Sequence, residues 1–327
     1  MKIQNKVRQF IYTGPLASAL SGFLEDMRLS GRIYNAEGYC LGIIDDKSKN
    51  MNCNENCLPR ELVEELICKR EYESHKTWAN RTFIIRRLAK YMNTHGYAAY
   101  ETPIVVHNKP TDFVPHIFTD SEMARLFDAA DRLPSCTLSP NRVPIVALLL
   151  RMLYGCGLRL SEALNLKIKD VDLGNGVLTI LESKFEKSRY VPMTPELTEK
   201  CREYVLAVRK DCGANDWLLP APDRGPYSRR AINTTFRKLL VNAGIPYNGD
   251  GPRLHDLRHT FSVHCLKKWV IAGSNINIVL PLLSAYLGHK NLNGTQHYLR
   301  LTADMYPDIT SALEKKLGAI VPGEGEK

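Results

Sequence analysis

Three prolines within fourteen residues, Pro103, Pro110 and Pro115, interrupt a chain that on either side carries apolar residues at helical spacing. Proline fixes φ and lacks a backbone N–H, so such a stretch runs extended and ends any helix entering it. Thr102 to Pro115 therefore reads as a linker between two bodies, 1–110 and 111–327. A chain of 327 residues is long enough for each to bury a core of its own.

Before the linker, Leu16, Leu20, Phe23 and Leu24 place a helix over Gly14 to Met27. Residues 29–58, rich in Gly, Asn, Asp and Lys, read as an irregular insertion. Helical spacing resumes at Pro59 and again from His75 to a stop at Gly96. The second of these stretches sets Trp78, Phe83, Ile84, Leu88 and Tyr91 on one side and Arg81, Arg86, Arg87 and Lys90 elsewhere. After the linker, Thr119 with Glu122 forms a helix-capping signature. Helices follow over 143–154 and 158–166, then 195–210, 228–243, 254–270, 278–287 and 295–314. Val177–Ile180 and Arg189–Pro192 are short strands flanking a charged turn. The class is mostly α with one small β-sheet.

The net charge of +9 favours a polyanionic partner, nucleic acid first. The excess is spread through the chain, with 16 basic against 12 acidic side chains in 1–110 and 28 against 23 in 111–327. The longest apolar run, Ile145 to Leu150, is far too short to span a bilayer, and no secretory signal opens the chain. A cytoplasmic, nucleoid-associated protein is expected. Nine scattered cysteines suit reduced thiols. Cys53 and Cys57, flanked by Cys40 and Cys68, supply one close pair where zinc sites use two, so no metal is expected.

Four segments carry candidate chemistry. In Gly155–Leu164 a glycine-bounded turn presents Arg159, whose planar fork suits phosphate oxygens; pairing with Glu162 is the alternative. Glu182–Arg189 holds Lys184 in the turn of the hairpin, with Lys187 and Arg189 as competing cations. A lysine there can protonate a leaving oxygen. In Leu254–Phe261, His255 and Arg258 lie three apart and share one helix face. Gly288 ends a helix, and the turn after it brings His289 back toward Tyr298, nine residues on. Each segment alone has a bland reading, and one tyrosine among 15 is ordinarily structural. Together, two arginines and two histidines can hold a phosphodiester, a phenol can attack it in line, and a lysine can protonate the departing oxygen. No acidic cluster accompanies the set, in keeping with chemistry that needs neither metal nor other cofactor.

These segments resemble the tyrosine recombinase, or phage integrase, family. GCGLRLSEALNL is similar to its first-arginine motif, HDLRHTF to its His-x-x-Arg motif, and LGHKNLNGTQHYL to its histidine-to-tyrosine segment. SKFEKSRYVPM resembles its lysine hairpin, which points to Lys184. The resemblance, over roughly 117–310, implies a catalytic domain with Arg159, Lys184, His255, Arg258, His289 and Tyr298 as its catalytic set. It also implies a helical core-binding domain over 1–110, the two closing on double-stranded DNA as a clamp. Such enzymes make a 3′-phosphotyrosyl intermediate without metal or ATP and exchange strands as homotetramers on two DNA sites. Free in solution the chain is expected as a monomer or weak oligomer. Arg81, Arg86 and Arg87 would bind DNA from the first domain, and Arg229, Arg230, Arg237 and Lys238 from the 228–243 helix. Residues 309–320, with Leu313, Leu317 and Ile320, are a candidate for docking on a neighbouring subunit. A strand-relaxing enzyme of type IB topoisomerase kind, or a DNA-binding architectural protein on the same scaffold, are the alternatives.

Overall fold

A computed structural model describes residues 7–31, 33–106, 114–181, 188–247, 251–289, 295, 296, 298, 299, 301 and 302. Two compact units are present, Met1–Phe113 and Val114–Lys327.

In the first unit, α1 (Ala17–Leu29) buries Leu20, Phe23, Leu24 and Met27, the stripe its spacing implies. Residues 29–58, expected as an irregular insertion, instead contain a sixteen-residue helix, α2 (Asn35–Asn50). Its buried face is Gly38, Leu41, Ile44, Asp45 and Ser48, in which only two residues are large and apolar. Gly38 is held there by the ring of Phe10, which a Cβ would meet at 2.3 Å. Asp45 is held by backbone N–H groups of Thr13 and Gly14, which donate to its carboxylate at 2.9 and 2.8 Å. These bonds answer N–H groups just ahead of α1 and, with the hydrogen bond and charge of Lys49, keep the Asp45 pKa below its ordinary value against the upward pull of burial.

Strand β1 (Cys57–Leu58) precedes α3 (Arg60–Ile67), which starts after Pro59. The helix α4 (His75–Thr94) is capped by the Ser74 hydroxyl, which accepts from Thr77 N at 3.1 Å. It ends before Gly96, whose φ of 83° takes the left-handed conformation that glycine tolerates. Strand β2 (Ala98–Ala99) pairs in parallel with β1.

The buried face of α4 matches the expected one only in part: Leu88 is buried, and Ile84 and Tyr91 pack against the same core. That face comprises Ala79, Arg81, Thr82, Ile85, Leu88, Ala89 and Met92, while Phe83 is 60% exposed. Small and polar residues widen the buried stripe and leave Phe83 outside it.

In the second unit α5 (Asp120–Asp131) begins with the expected capping box between Thr119 and Glu122. Next come α6 (Arg142–Gly155) and the five-residue α7 (Leu160–Leu164). Because α6 buries Ile145 through Leu150, Met152 and Leu153, it is apolar nearly all round and packs against α5 and later helices on several sides. The strands β3 (Val171–Asp172), β4 (Val177–Leu181) and β5 (Ser188–Pro192) form an antiparallel sheet in that order. Leu178 faces Val191 and Ile180 faces Arg189 across it, so period-two alternation sends Arg189 to the buried side with Val191. Helices α8 (Pro195–Val208), α9 (Arg229–Asn242), α10 (Asp256–Ile271) and α11 (Ile276–Leu287) follow. The described residues between 295 and 302 are also helical. Among the described residues no helix is long and apolar enough to cross a membrane, and the nine cysteines are free thiols.

Candidate active site

Three consecutive carbonyls at the end of α11 organise the site. Arg189 Nε donates to Tyr286 O at 2.9 Å, Arg258 Nη2 to Leu287 O at 2.7 Å, and Arg159 Nη2 to Gly288 O at 3.0 Å. The last carbonyls of a helix have no partner within it and carry its negative dipole end, so they attract guanidinium groups. Gly288, at φ 69°, stops the helix as the sequence implied and turns the chain into His289.

Glu162 binds the same three arginines from the other side. It accepts from Arg159 Nη1 at 2.5 Å and from Arg189 Nη1 and Nη2 at 3.1 and 2.9 Å, with Arg258 Nη1 at 3.8 Å. Burial pushes its pKa up, but the hydrogen bonds and charges of Arg189 and Arg159 more than reverse this and leave it below the ordinary carboxylate value. Its Oε2 also accepts from the backbone N of Arg159 at 2.9 Å, so the start of α7 is already occupied by a carboxylate. The expected pairing of Arg159 with Glu162 and its readiness for an external anion thus coexist: the Arg159 side chain remains 35% exposed, against 1% for Arg258.

Arg258 rises from the first turn of α10 and also donates through Nη1 to Gly157 O at 2.8 Å. Gly157 has φ 57°, and a Cβ there would meet Phe261 at 2.5 Å. Burial, then the Arg159 charge, brings the Arg258 pKa down to about 10, so it stays charged at neutral pH. His255 precedes α10. Although the residue is exposed, partial burial of the group, then the charges of Arg258 and Arg159, bring its pKa down to about 4. His289 is likewise lowered to about 4 by burial and by Arg258, Arg159 and Arg189. Both imidazoles are therefore uncharged at neutral pH in the free protein.

Tyr298 is 3% exposed. Its ring stacks against His289 at 6.1 Å between centroids and tilts against His259 at 5.5 Å, and His259 lies 4.8 Å from His255. Ile117, Leu283 and Leu301 belong to the same buried cluster. The phenol thus sits between two imidazoles on the edge of an apolar core, close enough to Arg258 for their charges to interact. Five of the six proposed chemical residues, Arg159, His255, Arg258, His289 and Tyr298, are brought into one region. Lys184 lies outside the described residues, as do 309–320.

Sequence reasoning offered Glu162 only as the alternative partner of Arg159 and Arg189 only as a cation competing with Lys184, and it did not single out His259. The position of Arg189, two residues before the buried Val191, was the available signal.

The remaining basic candidates divide. Arg81 is a correction: it is 7% exposed, pairs with Glu73, and donates to Leu66 O and Cys68 O at 2.7 and 2.8 Å. It ties α3 to α4 and presents nothing to a phosphate. Arg86 donates to Thr102 O and Ile104 O, both at 3.0 Å, fixing the chain after β2. Arg87 lies over the rings of Phe23 and Phe83. On α9, Ile232, Phe236, Leu239 and Leu240 are buried, while Arg229, Arg230, Arg237 and Lys238 are exposed.

Residues 116–305 match the model of the Phage integrase family. A putative integrase/recombinase, y4rB, of Sinorhizobium fredii is 33% identical over 73% of this chain and 78% of its own. A tyrosine recombinase of Pseudothermotoga lettingae is 30% identical over 73% of this chain and 77% of its own. Among solved structures, the XerH site-specific recombinase bound to palindromic difH substrate shares the fold, with a TM-score of 0.61 and 21% identity over 91% of this chain and 85% of that one. With more than half its length matched and its sheet and helices arranged as in that fold, the chain belongs to the phage integrase family and is a tyrosine recombinase.

Proposed function

We propose that this recombinase cleaves and rejoins double-stranded DNA at specific sites through a covalent bond between Tyr298 and a 3′ phosphate. The observation that carries this reading is the placement of the Tyr298 ring against His289, beside Arg258, while Arg159 and Arg258 are anchored to the two carbonyls before His289. The phenol oxygen attacks phosphorus, and the bond from phosphorus to the 5′ oxygen breaks. Arg159 and Arg258 stabilise the charge on the non-bridging oxygens. His255 and His289, neutral before DNA arrives, can accept the phenol proton or donate an N–H to those oxygens. Lys184 is assigned the proton delivered to the leaving 5′ oxygen. One phosphodiester replaces another, so the reverse step needs no ATP.

Tyr298 and Arg258 are 3% and 1% exposed, so the phenol oxygen must gain access to the phosphorus before it attacks. We assign Arg229, Arg230, Arg237 and Lys238 to DNA contact, and the functional assembly to a homotetramer on two sites.

The test is a suicide substrate nicked beside the cleavage point, resolved on a denaturing gel. Wild type should form a protein–DNA adduct, and Tyr298→Phe should form none while binding within about twofold of wild type. An adduct persisting in Tyr298→Phe refutes the assignment.

A further inference from the structure

The geometry points to Arg189 as a positioning residue that keeps Arg159 and Arg258 charged toward the substrate by answering the carboxylate between them. Glu162 is buried, with its side chain 9% exposed, and three guanidinium groups surround it. Arg189 meets it with both ends of its fork, in two hydrogen bonds at 3.1 and 2.9 Å. Its Nε donates to Tyr286 O at 2.9 Å, and its side chain is 12% exposed, so all three guanidinium nitrogens have partners and the group is largely turned away from solvent.

Without Arg189, the Glu162 carboxylate would have only Arg159 and Arg258 to balance it. One positive charge of that pair would be cancelled, and both guanidiniums would be drawn toward Glu162 in a site of low dielectric. With Arg189 in place, the four groups carry two net positive charges, which suits a phosphodiester gaining charge in its transition state. Lysine can supply the charge but not the geometry: the three acceptors, two carboxylate oxygens and Tyr286 O, match the spaced donors of a planar guanidinium and not a point charge. Arg189 reaches them because strand alternation puts it beside Val191 on the inner face of the hairpin.

Resting as it does on attack at a phosphodiester, this role is tested by changing the charge of the phosphate. Single-turnover cleavage is measured on a normal phosphodiester and on a methylphosphonate at the same position, which lacks the negative charge. Arg189→Ala and Arg189→Gln should slow phosphodiester cleavage on the order of ten- to a hundredfold, the loss of a charge-assisted network read as a rate. On the methylphosphonate the deficit relative to wild type should shrink to within about threefold, because less charge needs answering. Arg189→Lys should recover only part of the loss. DNA binding and thermal unfolding are followed in parallel, and Arg189→Gln, nearly isosteric, serves if the alanine variant does not fold. Equal losses on both substrates would mean a merely structural arginine and would overturn the proposal, as would full activity of Arg189→Gln. Arg159→Ala is the reference. If its deficit fails to shrink on the methylphosphonate, the phosphate-binding reading itself falls; if it shrinks while that of Arg189→Gln does not, Arg189 alone is removed.

Discussion

His289 Nδ1 lies 2.7 Å from the hydroxyl of Thr295, a residue with no solvent exposure. When that hydroxyl donates, Nδ1 is the acceptor and the proton of the neutral ring resides on Nε2, making it a donor at neutral pH. Thr295→Val removes the bond with little change in volume. It should slow cleavage by roughly tenfold with DNA binding unchanged, and Thr295→Ser should restore most of the rate. Adduct formation over time checks this. A Thr295→Val protein cleaving at the wild-type rate would show that the bond does not orient His289.

The depressed histidine values fix the sign of a pH effect. His255 and His289 fall from 6.5 to about 4 on folding, so between those values the unfolded chain binds more protons. Stability from this source is fully present above pH 6.5 and is lost as pH falls toward 4. The urea midpoint should therefore drop between pH 7 and pH 5, and His289→Gln should flatten part of that drop. A bound phosphate opposes the arginine charges and raises both values, so DNA binding near pH 5 should take up protons. Titration of the imidazole signals by NMR gives the direct check. Two rings titrating near 6.5 in the free protein would contradict it.

The architecture was legible wherever one strong local signal sufficed: the Thr119–Glu122 capping box, the largely apolar α6, the glycine stops at Gly96 and Gly288. Where burial depends on a partner distant in sequence, it was not. Gly38 and Asp45 face inward because Phe10, Thr13 and Gly14 meet them there, and no window around α2 contains those residues. The site divides in the same way. His255 with Arg258, and His289 with Tyr298, show their relation through spacing along the chain. The bridge from Arg189 to Glu162 spans 27 residues and depends on the inward face of a strand. Arg81 looks in sequence like its neighbours Arg86 and Arg87, and only the carbonyls of Leu66 and Cys68 reveal its internal use.

Gly157 should tolerate no side chain. Its φ of 57° costs an alanine about 1–2 kcal/mol. A Cβ would stand 2.5 Å from Phe261 Cδ1 and 3.0 Å from Leu287 Cδ2, so overpacking adds a similar cost. Gly157→Ala should lower the melting temperature on the order of 10 °C. Because Gly157 O holds Arg258 at 2.8 Å, cleavage measured well below the melting range should also fall. Unchanged melting and cleavage would show that α10 can shift to make room.

Arg81 and the exposed cations of α9 should separate in a salt titration. Neutralising a phosphate releases condensed counterions, so log K falls with log salt by about 0.9 per contact. Each of Arg229→Ala, Arg230→Ala, Arg237→Ala and Lys238→Ala that removes a contact should make the slope shallower by about 1 while leaving thermal stability nearly unchanged. Arg81→Ala should do the reverse. It leaves Glu73, itself 7% exposed, without its cation and frees two buried carbonyls, a loss of about 3–5 kcal/mol. The folded fraction should keep the wild-type salt slope, since Arg81 has no donor facing outward. If Arg81→Ala melts like wild type and binds with a shallower slope, the side chain swings out to the DNA, and the internal ion pair is only its resting place.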